Sequence, residues 1–156
     1  MTDATEKGFE ELKQEIEKTL ENGQYKIELI RRTLTEKAKL RRTYTVLILV
    51  DPARFGEIKH KVFVTKNTLY SHLYSLIELG LVRQISIMDL WNREGLGKEE
   101  QEVINKFRKW TKTMAEGQIK YFAAKTHYFL LTDLGRDQGI IRWALKLEKE
   151  QRSNDI

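Results

Sequence analysis

The sequence predicts a mainly α-helical protein with a small β element. Glycine and proline are scarce, at nine and one in 156 residues, so few positions interrupt a helix. Apolar side chains recur at three- and four-residue steps along most of the chain, which is typical of amphipathic helices. In the short segment 81–90 apolar residues alternate loosely with polar ones, and the segment 127–131 is mostly apolar. We interpret both segments as strands.

The N-terminal part predicts two helices. The first spans 5–21 and ends at Asn22-Gly23, since both residues tolerate the left-handed conformation of a helix C-terminus. Its apolar stripe consists of Phe9, Leu12, Ile16 and Leu20. The second helix starts near Gln24 and either continues into residues 40–50 or breaks just before them. Asp51-Pro52 ends it, because proline disfavours helix in the residue before it.

Three short elements follow the proline. Residues 55–63 carry apolar side chains at helical spacing and predict a helix. Thr65 can cap a third helix with its hydroxyl, and Gly80 can end it. The inward face of that third helix consists of Leu69, Leu73, Leu76 and Ile77. The first predicted strand, 81–90, comes next.

A long segment, 91–124, separates the two predicted strands. Its middle, 97–117, is bracketed by glycines and predicts one inserted helix. A single stripe on this helix holds Val103, Ile104, Phe107, Trp110 and Met114. We interpret the stripe as core or as a subunit contact, and a binding site for a small-molecule effector is the alternative. After the second strand, a last helix runs over about 134–151.

The order helix, helix, helix, strand, insertion, strand, helix over residues 40–151 is that of a winged helix. Residues 55–73 (FGEIKHKVFVTKNTLYSHL) resemble the second and third helices of prokaryotic winged-helix repressors of the ArsR and MarR type. Residues 73–83 (LYSLIELGLVR) resemble the end of their recognition helix and the first wing strand. Residues 128–136 (YFLLTDLGR) resemble their second wing strand. The resemblance covers about two-thirds of the chain.

The chain departs from that family at two places. Phe63 stands where many relatives have glycine in the turn, and the insertion replaces a wing tip that is usually only a few residues long. The predicted fold is mainly α with a small β wing, a winged helix-turn-helix with a helical insertion in the wing and a C-terminal helix. We divide the chain into an N-terminal helical extension that can serve dimerisation (1–39), the winged helix-turn-helix domain (40–151) and a tail (152–156).

The third helix, 65–79, has the pattern of a DNA recognition helix. A helix enters the major groove only if one face packs on its own domain and the other offers hydrogen-bonding groups. The leucines supply the inward face, and the outward face consists of Lys66, Asn67, Thr68, Tyr70, Ser71 and Tyr74. Asn67 suits an adenine edge, Lys66 a guanine or a phosphate, and Ser71 either. Thr65 or Thr68, with the positive end of the helix dipole, suits a phosphate.

The charge distribution supports a polyanionic partner. Residues 1–23 carry a net charge of −4, whereas 24–50 carry +5 and 54–84 carry +3. Clustered lysine and arginine raise the local positive potential and attract nucleic acid. The cations expected to contact phosphates are Arg54, Lys59, Lys61 and Arg83, with Arg41 and Arg42 as further candidates.

Other site chemistries are not expected. The chain has no cysteine, which excludes disulfides, thiolate nucleophiles and cysteine-ligated metals. The histidines His60, His72 and His127 lie on separate predicted elements, so we expect no metal, and His72 is expected to pack. Residues 95–99 lack the upstream glycine and the Ser/Thr of a phosphate loop. No catalytic arrangement is recognisable, so we expect neither an enzyme nor a cofactor.

The function we expect is sequence-specific binding of double-stranded DNA by a homodimeric, cytoplasmic transcriptional regulator. The N-terminus does not resemble a signal peptide, and the longest apolar run, 46–50, is far shorter than a membrane span of roughly 20 residues. One alternative is a winged helix that contacts proteins in a transcription or replication assembly. Another is an architectural DNA-binding protein without sequence preference, which competition with unrelated duplex would reveal.

Overall fold

The structure, a computed structural model, describes residues 2–154, and side chains over 8–153. In the described part, helices alternate with three short strands. The elements are α1 (Thr2–Glu36), α2 (Ala38–Val50), β1 (Ala53–Arg54), α3 (Phe55–Lys61), α4 (Lys66–Glu78), β2 (Val82–Ser86), α5 (Ile87–Trp91), α6 (Lys98–Trp110), α7 (Glu116–Lys125), β3 (His127–Leu131) and α8 (Gln138–Asn154). A mainly α-helical protein with a small sheet is confirmed. None of the described helices is both long and apolar enough to cross a bilayer.

The N-terminal helix α1 is continuous over 35 residues, so the predicted break at Asn22-Gly23 is wrong. A glycine inside a helix costs only about 1 kcal/mol relative to alanine, and α1 keeps its apolar residues in phase across this position. That stripe reaches the core at Ile30 and Leu34, which are fully buried. The chain breaks instead at Lys37, between α1 and α2.

The sheet is antiparallel in the order β1–β3–β2, with Ala53 opposite Phe129 and Val82 opposite Leu131. Strand β1, only two residues long, was not predicted because so short a segment has no detectable period. Strand β3 agrees with the predicted 127–131. The predicted strand 81–90 is wrong beyond Ser86, because the chain turns there into the short helix α5.

The third predicted helix is confirmed as α4. Thr65 is its N-cap, and its hydroxyl accepts a hydrogen bond from the Thr68 amide at 3.2 Å. Beyond the helix end, Gly80 has a φ of +80°, a left-handed conformation that costs glycine little. In the turn before α4, Phe63 needs no such conformation, since every described residue with positive φ is a glycine.

The insertion between β2 and β3 contains three helices, α5, α6 and α7. The predicted helix over 97–117 is confirmed as α6 over Lys98–Trp110 and is wrong beyond it, where a turn separates α6 from α7. Helix α6 ends at Trp110, where the Thr111 hydroxyl donates a hydrogen bond to the Phe107 carbonyl at 2.9 Å. The last helix, α8, begins at Gln138 rather than near 134, because the Asp137 carboxylate accepts from the Ile140 amide in its first turn. It continues to Asn154, into the predicted tail.

Two hydrophobic cores lie on opposite sides of β3. The leucine core lies under α4 and includes Leu34, Leu40, Leu47, Leu69, Leu73, Leu76 and Leu81. The aromatic core lies inside the insertion and includes Ile87, Leu90, Val103, Ile104 and Phe107, with Trp91, Trp110 and Phe122 packed against them. Phe129 and Leu131 belong to the leucine core, whereas Tyr128 and Leu130 belong to the aromatic core. Val103, Ile104 and Phe107 of the predicted stripe are therefore core residues, and Trp110 is partly buried against them, whereas Met114 is not part of this core.

Candidate nucleic-acid interface

Helix α4 has one buried face and one exposed face. Leu69, Leu73 and Leu76 are completely buried in the leucine core. The predicted contact residues Lys66, Asn67, Ser71 and Tyr74 lie on the exposed face. Tyr74 is 54% exposed. The helix therefore presents polar and aromatic groups away from its scaffold.

Two other predicted contact residues of α4 are only half-buried, because neighbouring groups hold them. Thr68 accepts a hydrogen bond from the Thr65 hydroxyl at 2.9 Å. The Tyr70 ring stacks on Phe55 with centroids 4.1 Å apart and lies 6.3 Å from the Tyr74 ring. A row of three stacked rings thus connects the start of α3 with the exposed face of α4.

An open groove of about 770 Å³ runs beside the N-terminus of α4. It brings together Lys59 of α3 and Lys39 of α2, and no carboxylate of the described residues lines it. The Phe63 side chain, 96% exposed, lies at the same groove. The predicted residue Lys61 is exposed on α3 but is not part of the groove lining. Two lysines next to a helix N-terminus create a positive surface suited to phosphate.

Lys39 was missed by the sequence analysis as an individual residue. The signal was present, since the stretch 24–50 has the largest positive excess in the chain. Which of its seven cations face α4 depends on how α2 packs. Burial of His72 lowers its pKa, and the charges of Lys39 and Lys37 lower it further. Its Nδ1 lies 3.3 Å from the Thr43 hydroxyl, an arrangement that fits the predicted packing role.

The predicted cations Arg54 and Arg83 point toward the insertion. The Arg54 guanidinium lies 3.8 Å from the centroid of the Trp110 ring, and its Nε lies 3.3 Å from a Glu57 carboxylate oxygen. Arg83 donates to Glu99 at 2.6 Å. Their charges are thus partly balanced within the protein, and the structure does not bring them to the exposed face of α4.

Arg41 was a further candidate for a duplex contact, and that prediction is wrong. The residue is only 4% exposed. Its Nε donates to Glu148 at 2.8 Å, and its Nη1 donates to the Leu34 carbonyl at 2.8 Å. Arg41 therefore joins α1, α2 and α8. The neighbouring Arg42 is exposed and lies 3.5 Å from the same carboxylate.

Helix α7 contributes groups that the sequence analysis missed. Tyr121 and Lys125 line a pocket of about 340 Å³ together with Tyr70 of α4. Tyr121 lies in the segment 91–124, after the predicted inserted helix, and Lys125 lies between that segment and the second predicted strand. Their proximity to α4 arises from the packing of the insertion against β3, so local pattern contains no signal for it.

No group of three or more histidine or acidic side chains in the described residues is arranged to hold a metal ion. No protein-family model matches this chain, and no curated protein or solved structure matches it either.

Proposed function

We propose that this protein is a sequence-specific double-stranded DNA-binding regulator that inserts α4 into the major groove. The observation that carries the proposal is the division of α4 into a face of three buried leucines and a face with Lys66, Asn67 and Ser71 exposed. A recognition helix needs this division, because it must be held rigidly from below while its polar groups meet base edges.

The arrangement around α4 supports a winged helix-turn-helix. The elements α2, β1, α3, α4, β2 and β3 follow one another in the order expected of that fold, apart from the insertion between the last two strands. Strand β3 lies between β1 and β2, so the pair β2–β3 forms the two sides of the wing. Helices α5, α6 and α7 take the place of the wing tip.

In this proposal, specificity and affinity come from different residues. Asn67 and Lys66 near the N-terminus of α4 meet base edges, where amide and ammonium groups discriminate among bases. Lys59 and Lys39 in the groove beside α4, with Lys61 nearby, contact phosphates and contribute salt-dependent affinity. Binding at an operator near a promoter then regulates transcription.

Homodimerisation is the second part of the proposal, and its basis is the exposed half of α1. All described side chains from Gly8 to Glu28 are exposed, including the apolar stripe Phe9, Leu12, Ile16 and Leu20. Between α2 and α8 lies an apolar groove lined by Leu49, 82% exposed, and Leu145. We propose that α1 of one copy occupies this groove of the other.

Charge complementarity selects the groove rather than a second α1 as the partner of the stripe. Residues 8–23 carry two lysines against five glutamates, so two α1 helices side by side would repel each other. The groove instead contains Lys149 and Arg152, and its Glu148 is already paired with Arg41. A dimer of this kind can place two recognition helices in successive major grooves.

The DNA part is tested by selecting bound duplexes from a random pool and measuring affinities at several salt concentrations. We expect Asn67→Ala to relax the preference at one base position, with a loss of about 1–3 kcal/mol of binding free energy. Lys59→Gln should weaken binding to all sequences and reduce the salt slope by about 1. Lys18→Gln, an exposed lysine on the face of α1 opposite the apolar stripe, is the matched control. The absence of any selected duplex, or equal affinity for all duplexes, would contradict sequence-specific binding.

The dimer part is tested with engineered cysteines, since the chain has none of its own. Ile16→Cys protein is mixed with Leu145→Cys protein and oxidised, and we expect a covalent dimer of the mixed pair. Lys18→Cys, on the opposite face of α1, is the control and should not cross-link to Leu145→Cys. Cross-linking of Ile16→Cys only to itself would contradict the groove, and a monomeric mass of the unmodified protein would contradict the dimer.

A further inference from the structure

A pocket of about 340 Å³ lies between α4 and the insertion. Six of its side chains are aromatic, contributed by α3, α4, α6, α7 and β3: Phe55, Tyr70, Trp110, Tyr121, Phe122 and Phe129. This volume is at the lower end of the range of ligand sites, about 300–1,000 Å³. The pocket therefore has room for one small molecule with a planar ring.

The polar lining of the pocket favours an anion. Within the part of the chain that the structure describes, its two permanent cations are Arg54 and Lys125, and no carboxylate lines it. Glu57 offsets part of the charge of Arg54 from outside the lining, at 3.3 Å. Lys125 donates to the Tyr121 hydroxyl at 2.8 Å and forms no ion pair within the described residues. Its charge is thus held at the pocket beside an exposed aromatic ring.

We propose that this pocket binds a single nucleotide, with the base among the aromatic side chains and the phosphate at Lys125 and Arg54. Aromatic rings bind any base through its π-face, and a neighbouring cation binds the phosphate. Gln84 and His127, also in the lining, offer hydrogen-bonding groups for the edge of the base.

Two sources can supply this ligand. One is a free mononucleotide, which would act as an effector, because Tyr70 belongs both to the pocket and to α4. The other is a nucleotide unstacked from DNA next to the recognition helix. The second source rests on the proposed function, whereas the first is independent of it.

A single fluorescent base, 2-aminopurine, tests both sources. The free 2-aminopurine nucleoside monophosphate is titrated with protein in one arm. In the other arm, the same base is placed as an unpaired nucleotide in a DNA duplex, with a fully paired duplex for comparison. We expect saturable quenching in at least one arm, since stacking on aromatic rings quenches this base, and little change in the fully paired duplex.

The matched variants are Lys125→Gln and Lys120→Gln, which remove the same charge from exposed positions on the same helix. Only Lys125 lines the pocket. We expect Lys125→Gln to weaken binding of the probe several-fold and Lys120→Gln to leave it nearly unchanged. Tyr121→Ala, at a position 54% exposed, should weaken binding about 5-fold or more, because one stacking partner is lost.

The outcomes separate this inference from the proposed function. Quenching in neither arm, or equal losses in Lys125→Gln and Lys120→Gln, would overturn the nucleotide pocket, even if the fully paired duplex binds normally. Preferential binding of 2-naphthoate, an aromatic anion without a phosphate, would overturn it as well. Nucleotide binding without any affinity for duplex DNA would support the pocket and contradict the proposed function.

Discussion

The leucine core and the aromatic core differ in the type of side chain that fills them and in the helices that contribute it. The leucine core joins mainly aliphatic side chains from α1, α2, α4 and α8, and helical spacing in the sequence marks most of them. The aromatic core brings together Trp91, Phe107, Trp110 and Phe122 from α5, α6 and α7, with neighbouring rings in edge-to-face contact at 5.2–6.0 Å. Helices α5 and α7, of five and ten residues, have little stability of their own. The aromatic core must therefore form by packing on the rest of the protein.

Strand β3 is the element that the two cores share, since successive side chains of a strand point to opposite faces of the sheet. Polar contacts also join the two regions. Arg136 contacts both Asp51 and Glu99, and Lys106 donates to the Val50 and Pro52 carbonyls at 3.0 and 2.6 Å. The insertion is therefore a cover on the outer face of the sheet rather than an independent unit.

The largest expected effect comes from Phe107→Ala in the aromatic core. Truncation of a buried phenylalanine costs about 3–5 kcal/mol of unfolding free energy, and Leu73→Ala in the leucine core is the matched change at about 2–5 kcal/mol. Because β3 belongs to both cores, urea unfolding should remain a single transition by circular dichroism and tryptophan fluorescence. An early fluorescence transition in Phe107→Ala, with helical signal retained, would show that the insertion unfolds separately.

Gly135→Ala should be the next most damaging change, on the leucine-core side of the sheet. An added Cβ would lie 2.0 Å from the Leu81 carbonyl oxygen, so the backbone would have to move. We expect a loss of about 3 kcal/mol, at the upper end for overpacking, measured by urea unfolding. Gly117→Ala, with nothing within 4 Å of the added atom, is the control and should not destabilise the fold.

Tyr44→Phe tests the buried polar contact of the leucine core. The Tyr44 hydroxyl donates to the Gly135 carbonyl at 2.6 Å, and the ring is completely buried. Removing the donor leaves that carbonyl unsatisfied and should cost about 1–2 kcal/mol. An unchanged melting temperature would indicate that the carbonyl finds another donor.

Glu99→Gln should have the smallest effect, on the ionic connection between the two regions. Burial alone would raise the pKa of Glu99, but hydrogen bonds from Arg83 and Arg136 hold it below its usual value. Because its pKa is lower in the folded protein, the Glu99 carboxylate stabilises the fold at pH values above its ordinary pKa of 4.5. This stabilisation is lost as the pH falls through the lowered pKa. At pH 7 the free energy of unfolding of the wild type should exceed that of Glu99→Gln by less than about 1 kcal/mol.

The stability difference between the wild type and Glu99→Gln should shrink as the pH is lowered through the acidic range. Glu94→Gln, a change at an exposed position, serves as the control. Urea midpoints at pH 7 and at several lower pH values would measure it. A difference that grows on acidification would contradict the assignment to Glu99.

Sequence reasoning worked best where a single helix contained the whole signal. Thr65, the leucines of α4 and Gly80 together mark a helix whose beginning, buried face and end are all local, and each lies where expected. The strand β3 was also found, because four consecutive apolar residues in a short segment favour a buried strand. Strands buried on both faces lack polar alternation. The lack of alternation in β3 was therefore the available sign that another part of the protein covers the outer face of the sheet.

The failures have tertiary causes. Arg41 has the composition of a surface cation, but α8 supplies Glu148 from 107 residues away and makes it part of the interior. The candidate site was only partly predictable for the same reason. Lys66 and Asn67 lie next to each other on α4, whereas Lys39, Tyr121 and Lys125 come near it through the packing of α2 and α7.

The sequence by itself determined the helical character of the chain, the two faces of α4 and the position of β3, because spacing, caps and apolar runs act over a few residues. Only the tertiary structure decided which cations remain exposed, how the insertion divides into three helices, and that an aromatic pocket forms beside α4. These features depend on contacts between residues far apart in the chain, and the energies of such contacts exceed the local preferences that a sequence pattern expresses.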